Sequence, residues 1–385
     1  MNEIATKIND IFKKDFTSTQ HLYYSPGRIN FIGEHIDYND GFVMPAAINK
    51  GMYYAIALNK TDFINFHSVD FDEKLTVGIR DIKKMTGWKN YVLGVVNEFL
   101  LLNKEVKGFD CVFGGDIADG AGISSSAAVE GGLAFGINEL FNFGLDRKEL
   151  ALLCQRAEHN FPGVMCGIMD QYANMFGKKD HVILLDCRKI EHQYFPLKLD
   201  GYEIVLINTK VHHSLASSEY NKRRKECEEG LEILKKEKGI ESFRDIKTSD
   251  ELVPFKQKMG EKVYDRCKFV VEEITRTQAA AILLQQNNLI EFGKKMYEAH
   301  EGLSKLYEVS CKELDFLVEQ ASADKDVIGA RMMGGGFGGC TINIIKKESV
   351  VEFLSNATVA YQKKFQIDPE VIKVEVGDGT NEIRM

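Results

Sequence analysis

The chain has 385 residues, 44% of them hydrophobic and 28% charged, with 57 acidic side chains against 49 basic ones and a net charge of −8. That composition belongs to a globular protein long enough for two or three domains. It leaves no positive surface excess for nucleic acid or an anionic membrane, while still allowing one local basic pocket for a small anion.

The first sixteen residues, MNEIATKINDIFKKDF, lack an apolar stretch of signal-peptide length. Ile4, Ile8, Ile11 and Phe12 recur at helical spacing and predict an amphipathic first helix. The next segment, PGRINFIGEHIDYNDG (26–41), crowds Glu34, His35 and Asp37 into four positions, with Arg28 just upstream. A metal site, an acid/base pair and a sugar pocket each use such residues. Zinc would need three or four convergent ligands, and neither an HExxH nor a close cysteine pair supports it.

Strands are expected over 53–58 (YYAIAL) and 109–115 (FDCVFGG), and the second runs into GGDIADGAGISSSAAVEGG (114–132). Glycines let a backbone approach phosphate closely, and exposed amides at a helix start point at the anion. A serine hydroxyl can also serve a hard cation such as Mg²⁺. A Ser-capped helix after a glycine turn would look the same from this segment alone. It is neither a Walker A loop nor a clean GxGxxG fingerprint.

Val129, Leu133, Ile137, Leu140 and Phe141 line one face of a helix beginning near Ser126, and Leu150, Leu153, Cys154 and Ala157 line the next. Further strands are expected over 181–187 and 203–209, with a turn at Gly201 as the natural junction between domains 1–200 and 201–385. The charge-dense stretch 221–239 reads as a solvated surface helix. AAAILL (279–284), the longest apolar stretch, is too short to span a bilayer. RMMGGGFGGCTINII (331–345) holds five glycines in six residues before an alternating strand, more backbone freedom than one turn needs. The eight cysteines include no CxxC pair, so reduced thiols in a cytoplasmic protein are expected.

Three separated segments, GRINFIGEHIDYNDGFVMP, GAGISSSAAVE and GARMMGGGFGGC, together resemble the galactokinases. These belong to a wider family of small-molecule kinases that includes homoserine, mevalonate and phosphomevalonate kinases. AEHNFPGVMCGIMDQYANMFG (157–177), SEYNKRRKECE (218–228) and VGDGT (376–380) extend the likeness over nearly the whole chain, in the family's order. The resemblance implies an N-terminal α/β domain like the second domain of ribosomal protein S5. It implies a C-terminal α+β domain of ferredoxin-like character, with the active site in the cleft between them.

Residue by residue, it implies that Gly120, Ala121, Gly122, Ile123, Ser124, Ser125 and Ser126 form the ATP-phosphate loop, and that Ser126 and Glu158 hold Mg²⁺. Asp170 would face the sugar C1 hydroxyl with Arg28 beside it. Glu34, His35, Asp37, Gly167 and Tyr220 would line the sugar pocket, Glu34 and His35 toward C6, Asp37 and Tyr220 by C3 and C4. The glycines at 334–339 would shape the nucleotide end of the cleft.

The implied activity is ATP-dependent phosphorylation of D-galactose at C1, the first committed step of galactose catabolism. Galactose and ATP would be the partners, with no nucleic acid, membrane or obligatory protein partner. Three positions depart from the galactokinase pattern: Ile36, the Phe161–Pro162 pair and Met165. Ile36 is shared with the N-acetylgalactosamine kinase branch, which keeps a kinase for that sugar or another hexose as the alternative. A non-catalytic galactose sensor is the other alternative, against which the intact Gly120–Ala128, Asp170 and Arg28 speak.

Overall fold

A computed structural model describes residues 2–117, 120–211 and 216–384. A six-stranded sheet forms the first half, in the order Asn381–Glu382, His21–Asn30, Pro45–Leu58, Phe109–Gly115, Phe63–Ser68, Glu73–Gly78. Its neighbours pair antiparallel except Phe63–Ser68 with Phe109–Gly115, which run parallel. A parallel pair needs a crossover, and the helix Lys89–Leu101 lies within this one.

The alternation of side chains along a strand sorts Pro45–Leu58 between two cores. Tyr53, Ala55 and Ala57 meet Ala5, Ile8 and Phe12 of the first helix, Glu3–Asp15, on one face. Tyr54 and Ile56 point to the other, where Val92, Phe99, Leu133, Ile137, Leu150 and Leu153 come from the helices Lys89–Leu101, Ser125–Phe141 and Arg147–Asn160. The helical faces expected at 129–141 and 150–157 are therefore the faces that pack.

The second half is built on a four-stranded antiparallel sheet, Val327–Met332, Cys340–Lys346, Tyr202–Asn208, Glu370–Val374. Ile204, Leu206, Ile342 and Ile344 share a core with Ile29 and Phe31 of the first half and with Phe292 and Met296 of the helix Leu289–Lys305. Val205, Ile207 and Ile345 point the opposite way, onto Leu317 and Val318 of the helix Lys312–Ala323 and Phe353 and Tyr361 of the helix Val350–Phe365. One apolar core thus runs continuously from the first half into the second. A small sheet, Phe42–Val43, His181–Asp186 and Glu191–Pro196, completes the architecture.

The stretch 221–239 differs from expectation. All of it except Gly239 lies in the helix Ala216–Lys238, but Arg223, Cys227 and Leu234 are buried. The density of charge hid a second face, on which Gly230 sits close against Cys267 of the helix Glu261–Gln285. All eight cysteines are free thiols, six of them buried. Among the described residues no helix is long and apolar enough to cross a membrane.

Candidate active site

Between the halves lies a cavity of about 180 Å³ whose wall includes Arg28, Glu34, His35, Asp37, Glu158, Gly167, Asp170 and Tyr220. Arg28 lies near the end of the strand His21–Asn30, and Glu34, His35 and Asp37 follow in the turn that leads to Phe42. His35 has a φ of 62°, a left-handed conformation uncommon outside glycine. Asp170 stands in the first turn of the helix Met169–Phe176.

Arg28 and Asp170 form a bidentate pair, Nε to Oδ1 and Nη2 to Oδ2, both at 2.8 Å. The third guanidinium nitrogen, Nη1, donates to the Gly122 carbonyl at 2.6 Å, and the Ser124 hydroxyl donates to Asp170 Oδ2. Gly120, Gly122 and Ser124 all have left-handed φ values, 66°, 70° and 61°. Alternation of this kind turns successive N–H groups into a concavity suited to an anion, immediately before the start of the helix Ser125–Phe141. Ala118 and Asp119, earlier in the same loop, lie outside the described residues. The glycine-rich turn at 334–339 reaches both ends of the cleft. A Cβ on Gly334 would come 3.0 Å from the Gly122 carbonyl, and on the other side Gly334 and Gly335 line the cavity.

The sugar-pocket candidates are largely hydrogen-bonded to the protein itself. Glu34 accepts from Arg331 Nη2 at 2.9 Å, Asn30 Nδ2 at 2.6 Å and the Gly334 N–H. Its burial works against ionisation, but the guanidinium groups of Arg331 and Arg28 hold its carboxyl below the usual range. His35 Nε2 donates to the Gly335 carbonyl at 3.2 Å, so Nδ1 is the acceptor and the Tyr38 hydroxyl donates to it at 2.7 Å. Tyr38 in turn lies 2.9 Å from the Tyr307 hydroxyl. Burial pushes the imidazole down to about 4, so it is neutral.

Asp37 accepts from the main-chain N–H groups of Tyr38 at 3.0 Å and Met169 at 3.3 Å. Burial, then the nearby charge of Asp170, pushes its carboxyl up to about 7. Gly167 is tied to that carboxylate: a Cβ there would sit 1.9 Å from Asp37 Oδ2. Tyr220 stacks at a tilt on His35, with ring centroids 5.1 Å apart.

Ser126 and Glu158 meet, the serine hydroxyl donating to the carboxylate, which Gln171 Nε2 also reaches at 2.7 Å. Burial and then Asp170 push Glu158 up to about 7. One turn beyond Ser126, Glu130 is fully buried beside Gln171, and neither carboxyl oxygen makes a well-formed hydrogen bond. Burial pushes its pKa well up.

Among the described residues no three His, Cys, Asp or Glu side chains gather to hold a metal alone. A serine and one carboxylate beside a turn suited to an anion fit Mg²⁺, which keeps water and takes other ligands from phosphate oxygens. The cation's charge would also relieve the buried carboxylate.

Every residue expected from the sequence for the sugar and the transfer step lies on this cavity, and Ser126 lies directly behind it. Val164, Cys166 and Met169 line it too, without expectation. The Ser124 contact to Asp170 and the Arg331 contact to Glu34 were not legible. An arginine inside the apolar run 327–333 was the available signal, because a buried charge requires a partner.

Known proteins resemble this chain along nearly its whole length. The galactokinase galactose-binding signature matches residues 10–58, and the N- and C-terminal domains of the GHMP kinases match residues 90–178 and 280–361. The galactokinase of Clostridium tetani is 41% identical, covering 98% of this chain and 98% of its own. That of Clostridium acetobutylicum is 40% identical, covering 100% and 99%. The crystal structure of Lactococcus lactis galactokinase complexed with galactose superposes with a TM-score of 0.94 at 32% identity, over 98% of this chain and 99% of that one.

Proposed function

The chain belongs to the galactokinase family, and from that premise we propose how its residues carry the γ-phosphoryl group of ATP to the C1 hydroxyl of D-galactose. The activity is ATP-dependent phosphorylation of galactose. The observation that carries our assignment of roles is the Arg28–Asp170 pair on the cavity wall, with its third nitrogen on the phosphate-loop carbonyl.

Asp170 has three of its lone-pair sites taken by Arg28 and Ser124, and the remaining site on Oδ1 accepts the C1 hydroxyl. In a loose phosphoryl-transfer transition state the nucleophile is little deprotonated before attack. Asp170 therefore orients the hydroxyl and takes its proton as the new P–O bond forms. Arg28 has five N–H donors, and those not engaged with Asp170 and Gly122 stabilise charge on the moving phosphoryl group.

The turn from Gly120 to Ser126 cradles the phosphates through its amides. Ser126 and Glu158 hold Mg²⁺, which when bound with ATP spreads the charge of the phosphate oxygens. Glu34, His35, Asp37, Gly167 and Tyr220 bind galactose, Glu34 and His35 toward C6, Asp37 and Tyr220 at the C3–C4 edge. We divide the chain at Gly201 into units 1–200 and 201–385, with the strand Asn381–Glu382 returning to the first sheet. A cytoplasmic location suits the substrate pair and the eight unpaired thiols.

The test is a coupled ADP-release assay over a panel of hexoses. D-galactose should give the highest kcat/KM. N-acetylgalactosamine exceeding it would overturn the assignment of the pocket.

A further inference from the structure

Glu34 and Arg331 form a fully enclosed ion pair, 1% and 0% exposed, between residues 297 positions apart. Arg331 is the penultimate residue of the strand Val327–Met332, among side chains that offer it no solvent. An enclosed guanidinium is costly unless it is paired and hydrogen-bonded. Here Nε donates to the Phe31 carbonyl and Nη2 to the Asn30 carbonyl, each at 2.8 Å, while Nη1 has no partner. The arginine thus grips both the main chain just before Glu34 and the Glu34 carboxylate itself.

A carboxylate offers about four acceptor sites. Oε1 of Glu34 takes two donors, Arg331 Nη2 and the Gly334 N–H, while Oε2 takes one, Asn30 Nδ2. One site is left, on Oε2, and Glu34 lines the cavity. Without its donors on Oε1 the carboxylate would be free to rotate and share its charge among Arg28 and the neighbouring polar groups.

We propose that Arg331 and Asn30 are positioning residues for sugar recognition, fixing the Glu34 carboxylate so that its single free acceptor site faces the substrate. Neither touches the cavity. The proposal rests on the reading that Glu34 meets the C6 hydroxyl, and the test separates the two.

The experiment compares kcat/KM for galactose and 6-deoxygalactose in the unaltered enzyme, Arg331→Lys and Asn30→Ala. Asn30→Ala removes one neutral donor and keeps the carbonyl that Arg331 uses. It therefore remains informative if Arg331→Lys does not fold. The unaltered enzyme should prefer galactose, and each variant should lower the galactose to 6-deoxygalactose ratio about tenfold, the scale of one hydrogen bond to a charged group. The loss should fall on galactose alone, with the KM for ATP unchanged.

A merely structural role would depress both sugars alike and leave the ratio as it was, which overturns the proposal by itself. Equal use of the two sugars by the unaltered enzyme overturns the C6 reading, and the proposal with it.

Discussion

Arg28 and Asp170, 142 positions apart, meet in two parallel hydrogen bonds of 2.8 Å at the cavity wall. The fork geometry matters as much as the charge, because each oxygen is assigned its own donor and the remaining acceptor site is aimed. Replacing Asp170 by Asn breaks that match by setting an amide N–H₂ against the guanidinium. Asp170→Asn should lower kcat by about two orders of magnitude or more while calorimetric galactose binding persists. A kcat within about threefold of the unaltered enzyme would make Asp170 a bystander.

Gly167 offers a steric test of the pocket. The Cβ of Gly167→Ala would overlap Asp37, at 1.9 Å from Oδ2, so the carboxylate must leave its place. The KM for galactose should rise by about tenfold or more, the cost of a lost charged hydrogen bond, with the KM for ATP unchanged. In an Asp37→Ala background the same substitution should add little, since neighbours that clash are not additive. Fully additive effects would show that the two residues do not share a role.

Asp37 predicts a pH dependence. With its carboxyl pushed up to about 7 by burial and Asp170, it is protonated below that pH and cannot accept from two sugar hydroxyls. The kcat/KM for galactose should fall as pH drops through about 7, and Asp37→Asn should remove this ionisation from the profile. Stability runs the other way. A raised carboxyl costs the fold nothing below the unfolded value of 3.8, and the cost is fully developed above about 7. Asp37→Asn should therefore raise Tm more at pH 8 than at pH 5. Equal gains at both pH values would contradict the raised ionisation.

Ser126→Ala and Glu158→Ala should each increase the Mg²⁺ concentration needed for half-maximal rate, because each removes one of two oxygens that meet behind the cavity. A Mg²⁺ titration unchanged in both variants would put the cation elsewhere.

The legible part of this protein was what sequence keeps contiguous. The helices at 3–15, 125–141 and 147–160 follow from apolar spacing that tertiary packing then uses. Arg28, Glu34, His35 and Asp37 stand in one run, and that run is where they meet the cavity. What escaped depends on distant partners. Tyr307 packs its ring on His35, centroids 5.1 Å apart, and bonds Tyr38, the donor to His35, and nothing near residue 307 marks it. The strand Asn381–Glu382 is two residues long, too short to show any period. Arg331 was written inside a recognised motif, yet its meaning lies in Glu34. Charge also misled at 221–239, where a helix rich in Lys and Glu turns Cys227 and Leu234 inward.

That short strand has a consequence for how the protein is made. Tyr23 and Tyr24 pair with Glu382 and Asn381, and just before them Thr380 bonds the Asn174 side chain, which also bonds Ser25. On the ribosome, the sheet that begins at His21 therefore waits through almost the entire second half of translation with one edge uncovered. An uncovered edge is a template for pairing with another chain. Until Asn381 and Glu382 arrive, the nascent first half lacks its partner along the Tyr23–Tyr24 edge.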